Sequence, residues 1–101
     1  MSARGMDDDT LFRAAVSAPA DVLMQELPDE ELIFLDLRSE SYFGLDAMGT
    51  RMYRALTESA SVQEGYERLR SRFDVEPERL RGDLRAFVER LVDRGLLELR
   101  A

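Results

Sequence analysis

The chain has 101 residues, 45% of them hydrophobic and 35% charged, with no Trp, which suits one domain with a small core under a heavily solvated surface. Its formal charge of −7 repels phosphate polymers and anionic lipid unless the basic residues are segregated on one face. Cys and His are both absent, and with them go thiol nucleophiles, disulfides, imidazole acid–base chemistry and soft-ligand zinc sites.

No apolar run approaches the roughly 18 residues of a membrane span, and the amino end "MSARGMDDDT" lacks the charged-then-apolar layout of a secretory signal. The expectation is a cytoplasmic protein. All 14 basic residues are Arg, a usage that genomic base composition explains as readily as a need for bidentate carboxylate recognition.

Residues 1–18 mix small residues with the acidic run Asp7, Asp8 and Asp9, and Pro19 breaks the pattern. They read as a disordered tail: the piece "TLFRAAV" could form a helical turn or two when packed on something, but a segment this short is marginal alone. The domain proper is expected over 19–101. From Asp21 the runs "DVLMQEL" and "LIFLDL", separated by a Pro-Asp turn, signal a hairpin, and "RSES" leads into a third β-prone run, "YFGL".

Asp46 then stands where a helix N-cap belongs, and Leu45, Met48, Gly49, Met52, Tyr53 and Leu56 recur at helical spacing. Ser61 with Glu64 three residues on makes a capping box for a second helix, whose face carries Val62, Gly65, Tyr66, Leu69 and Phe73. A third opens at Glu76–Pro77, carries the stripe Leu80, Leu84, Phe87, Val88, Leu91 and Val92, and stops at Gly95. The tail "LLEL" should fold back on the core. The predicted class is α+β, a three-stranded antiparallel sheet followed by three α-helices.

Adjacent strand residues face opposite sides, so only one of Tyr42 and Phe43 can enter a helix-backed core. The strand around 41–45 is a predicted edge, carries no Pro or Lys to block it, and has Gly44 where another backbone could approach. An edge beside a helix makes a groove suited to strand addition. Arg68, Arg70, Arg72, Arg79, Arg81 and Arg85 interleave with Glu67, Glu76, Glu78, Asp83 and Glu89 and read as solvated helix faces, not a nucleic-acid surface. Asp36, Asp46 and Asp83 form no evident acid–base pair, and the five Met residues read as core filler. No catalytic residue, metal or cofactor is expected.

The segments "LIFLDLRSESYFGLDAMGTRMYRAL", "SVQEGYERLRSRFDV" and "LRGDLRAFVERLVDRGLLEL" together resemble the PqqD-like domain, or RiPP recognition element, of ribosomal peptide natural-product pathways, over roughly Val22 to Leu99. That resemblance implies a winged-helix-like fold in which a precursor's leader peptide adds as a strand beside the third strand and against the third helix. Carried over by position, Ser41, Tyr42, Phe43, Gly44 and Leu45 would pair with the leader, and Leu80, Asp83, Leu84 and Phe87 would line the other wall.

Within the family, "YFGLDAMGTRMYRAL" is most similar to the stand-alone leader-binding proteins of lasso-peptide clusters. The resemblance then implies as partners a precursor leader peptide, a transglutaminase-like leader peptidase and a macrolactam-forming synthetase, while the net charge and the lack of a long apolar run leave nucleic acid and membrane out of the expected partners. Two alternatives stand beside it: a PqqD-type peptide chaperone for a radical enzyme, and a winged-helix DNA-binding regulator.

Overall fold

In the computed structural model, which describes residues 3–100, the amino-terminal segment differs from the expected disordered tail. Asp8–Arg13 forms a one-and-a-half-turn helix, α1, and Ala15–Ser17 a short strand, β1. The side chain of Asp7 accepts the Thr10 N–H at 2.7 Å and caps α1. That bond holds the Asp7 carboxyl below its ordinary pKa. A helix this short persists only when tertiary contacts hold it, and here Leu11 and Phe12 are buried in the common core with Ala3 and Val16.

The three predicted strands are Val22–Glu26 (β2), Leu32–Asp36 (β3) and Ser41–Leu45 (β4), forming one antiparallel sheet in the order β2-β3-β4. Both hairpin turns place a non-glycine residue in the left-handed region, Glu30 at φ 69° and Glu40 at φ 56°. Three helices follow, Ala47–Thr57 (α2), Val62–Arg72 (α3) and Pro77–Asp93 (α4), and Glu98–Arg100 (β5) pairs antiparallel with β1. The chain's two ends are thus stitched together, and the fold-back expected of "LLEL" takes this form.

Local chemistry sets the helix ends. Asp46 accepts the Gly49 N–H at 2.8 Å and Ser61 accepts the Glu64 N–H at 3.1 Å, caps each worth about 1 kcal/mol. At the end of α4, Gly95 (φ 73°) lets its N–H reach the Val92 carbonyl and the Leu96 N–H reach that of Leu91, the paired C-terminal bonds that favour glycine at this place. Gly65 has another task. A Cβ there would stand 3.2 Å from the Ala55 carbonyl oxygen, so its missing side chain sets how closely α3 approaches α2.

The core lies between the helices and one face of the sheet. Phe34 is fully buried and packs on Tyr53, ring centres 4.9 Å apart, while Phe12 meets Tyr66 edge-on at 6.1 Å. Buried Thr50 accepts the Leu32 N–H at 3.1 Å, tying β3 to α2. The Tyr53 hydroxyl donates to the Leu96 carbonyl at 3.1 Å, and burial pushes its pKa up to about 12. No helix among the described residues is long and apolar enough to cross a membrane.

Candidate functional site: a strand edge beside the longest helix

Strand β4 pairs with β3 on one side and with no strand on the other among the described residues. Its orientation follows from the bonds of β3. The Leu37 N–H reaches Asp21 and the Leu27 N–H reaches Glu31, so the odd-numbered residues of β3 bond toward β2. Its even-numbered residues bond toward β4, as the Glu40 N–H on the Asp36 carbonyl also requires. With Phe34 opposite Phe43 and Asp36 opposite Ser41, Ser41, Phe43 and Leu45 turn their backbone groups inward to β3. Tyr42 and Gly44 therefore direct their N–H and C=O groups outward from the sheet.

Side-chain alternation sorts the same five residues by face. Leu45 is buried and Phe43 half-buried against the core, while Tyr42 is 75% exposed on the outer face. Register sets Leu23, Leu35 and Tyr42 in one row across that face, with Leu23 55% exposed. A Cβ on Gly44 would meet nothing within 4 Å, so the outer face of the sheet is sterically open at Gly44. The Ser41 hydroxyl lies 2.6 Å from that of Ser39 in the turn.

On the inner side Phe43 is overlaid by cations from α4. The Arg94 guanidinium lies 4.6 Å from its ring centre and that of Arg90 5.9 Å away. Next to it, Asp83, Ala86, Phe87 and Arg90 of α4 face Met48 and Met52 of α2 across a groove of about 330 Å³. Its walls combine apolar surface with charged rims, the composition of a site that seats one or two side chains.

Of the residues expected on the helical wall, Asp83 and Phe87 line this groove, whereas Leu80 (3% exposed) and Leu84 (0%) point into the core. The reason is helical phase. Leu80, Leu84, Val88 and Leu91 form the fully inward stripe, and the groove-facing stripe begins one position earlier at Asp83 and runs through Ala86, Phe87 and Arg90, with Arg94, just past the helix end, over Phe43. Met48, Met52, Ala86, Arg90 and Arg94 were missed by sequence reasoning, although the three- and four-residue steps from Asp83 would have found the last three.

The three carboxylates considered for catalysis sit apart. Asp36 accepts the Arg38 N–H at 3.0 Å, a bond that holds its carboxyl below the ordinary range and closes the β3–β4 turn. Asp46 caps α2. Asp83 lies exposed with Arg79 at 4.0 Å. Asp46 and Asp83 both line the groove between α2 and α4, but Asp46 is engaged as the cap of α2 and Asp83 is exposed at the rim.

A small α+β domain with a three-stranded sheet, an unpaired edge and a helix-walled groove beside it is the class this geometry defines. The family described as coenzyme PQQ synthesis protein D (PqqD) matches residues 31–97, and the chain belongs to it. A solved structure described as TbiB1 in complex with the TbiA(beta) leader peptide superposes with a TM-score of 0.74 at 30% identity, covering 81% of this chain and 94% of that one. A second, a lasso peptide synthetase B1 complexed with the leader peptide, gives 0.73 at 20% identity over 82% of this chain and 96% of the other. The second likeness is one of fold. No curated protein matches the chain in sequence.

Proposed function

We infer that this protein binds the leader segment of a ribosomally synthesised precursor, of the lasso-peptide class, as a fourth strand on β4. One observation carries the reading: the outward N–H and C=O groups of Tyr42 and Gly44 run beside a groove walled by α4. Family membership and the likeness to TbiB1 with its leader peptide support it.

Two residues offer two donors and two acceptors, and at 0.5–1.5 kcal/mol net per bond they contribute roughly 2–6 kcal/mol. Micromolar affinity needs about 8 kcal/mol after the cost of association is met. Side chains seated around Phe43, Phe87, Met48 and Met52 must supply the difference. Asp83, Arg90 and Arg94 at the rim then set register and association rate. Leu80 and Leu84 support this wall from behind.

The protein itself acts without catalysing, as a cytoplasmic adaptor that presents the bound leader to a transglutaminase-like peptidase and a macrolactam-forming synthetase. A leader paired at β4 leaves the exposed Leu23 and Tyr42, with half-buried Leu35 between them, on the opposite face from the helices, accessible to such enzymes. Calorimetric titration with the leader of a short precursor encoded beside this gene tests the binding step across a range of salt. Affinity that holds at moderate salt is expected of backbone pairing and apolar pockets. No leader binding, together with duplex DNA binding that collapses as salt rises, would replace the reading with a winged-helix regulator. Preference for the precursor of a radical-enzyme pathway would move it to a PqqD-type chaperone.

A further inference from the structure

A second cleft, between α2 and α3, shares no residue with the groove beside β4. Ala55, Leu69 and Phe73 form its apolar floor. Four guanidinium groups surround it, Arg51 and Arg54 from α2 and Arg68 and Arg72 from α3, against a single lining carboxylate, Glu58. The lining thus carries +3 (four Arg less one Glu) in a chain whose net charge is −7. Arg residues interleaved with acids along each helix read as solvated faces in sequence, yet folding gathers four of them around one opening.

Their existing partners differ. Arg54 lies 2.7 Å from Glu26 and Arg68 3.4 Å from Glu64. Arg51 stacks over the Phe73 ring at 5.4 Å and has no carboxylate within ion-pair distance among the described residues. Arg72, exposed, has neither ion pair nor side-chain hydrogen bond among them. Two unneutralised guanidiniums therefore flank an apolar floor, each able to take a carboxylate bidentately.

Size decides what kind of anion fits. The cavity is about 160 Å³, below the roughly 300–1,000 Å³ typical of drug-sized ligand and cofactor sites, but suited to one aliphatic side chain. We propose that the α2–α3 cleft is a second peptide-binding site, taking an acidic segment of a partner protein that inserts one apolar side chain over Leu69 and Phe73 between carboxylates held by Arg51 and Arg72.

The test is an NMR titration of the full chain, uniformly 15N-labelled, with the capped peptide Glu-Asp-Leu-Asp-Glu at low ionic strength. Two control peptides replace the acids by their amides or the leucine by glycine, and inorganic phosphate is a third control. Saturable shifts confined to Ala55, Leu69, Phe73 and their neighbours are expected, weaker with either control peptide. Arg72→Glu should raise the dissociation constant about tenfold or more with an unchanged melting temperature, since Arg72 is exposed. Arg51→Gln provides a second variant if Arg72→Glu folds poorly. Absence of saturable shifts at millimolar peptide, an unchanged dissociation constant in the variants, or equal shifts with phosphate alone would each overturn the proposal, the last in favour of a simple anion site.

Discussion

The guanidinium of Arg81 lies 3.7 Å from the centre of the Phe12 ring, joining α4 to a helix that precedes it by some seventy residues. Arg85, one turn on, pairs with Asp8 and donates to the Met6 carbonyl. Phe12 is 2% exposed, so its truncation leaves a cavity in the shared core. Phe12→Ala should cost about 3–5 kcal/mol, and deleting residues 1–17 should lower the melting temperature markedly. Urea unfolding of both variants checks this. Wild-type stability in the truncated chain would mean that α1 and β1 only rest on the domain.

The two adjacent positions of β4 should respond differently to proline. Gly44 directs its N–H outward, so Gly44→Pro removes a bond offered to an incoming strand while leaving the β3–β4 ladder intact. Phe43 directs its N–H to β3, so Phe43→Pro breaks a bond of the fold. Leader titration and thermal melts should find Gly44→Pro folded but with binding abolished, and Phe43→Pro destabilised as well. Normal leader binding by Gly44→Pro would place the site elsewhere.

Leu84 and Asp83 are neighbours in sequence with opposite surroundings. Leu84→Ala should cost about 2–5 kcal/mol through the cavity it leaves. Asp83→Ala, at an exposed groove rim, should stay within about 0.5 kcal/mol yet change the leader dissociation constant or its association rate. Paired unfolding free energies and stopped-flow binding separate the two effects. If Asp83→Ala moved neither binding quantity, α4 would not be the wall and the site would shrink to the strand.

These contrasts mark where sequence stopped short. Asp46, Ser61 and Gly95 announce helix ends through chemistry that needs no tertiary context, and period-two and period-four apolar patterns locate the three strands and three long helices between them. Element α1 escaped because six residues carry too little periodicity to stand out and only packing on Arg81, Arg85 and Tyr66 sustains it. The same two arginines look solvated in sequence, although their side chains are 30% and 21% exposed. The strand edge at 41–45 was legible from strand count. Which of its residues bond outward was not, because neither turn carries the Gly or Asn that ordinarily reveals hairpin register.

Tyr53 makes the domain sensitive to alkali. Burial raises its pKa from 10.0 to about 12, so the folded state holds the phenol proton more tightly than the unfolded chain. The resulting stability is complete below pH 10 and is lost as pH rises toward about 12. Tyr53→Phe, lacking the bond to Leu96, should be about 1 kcal/mol less stable at neutral pH and should decline less over that alkaline range. Denaturant melts at neutral and alkaline pH give the comparison; parallel declines in both proteins would assign the effect to other groups.

Strand addition at β4 is tested most directly by amide hydrogen exchange with and without the leader, followed residue by residue. The Tyr42 and Gly44 amides point outward and should exchange rapidly in the free protein, then gain strong protection at saturating leader. Those of Phe43 and Leu45, already facing β3, should change far less. A bound leader, verified by calorimetry in the same sample, that left Tyr42 and Gly44 exchanging as in the free protein would contradict the account.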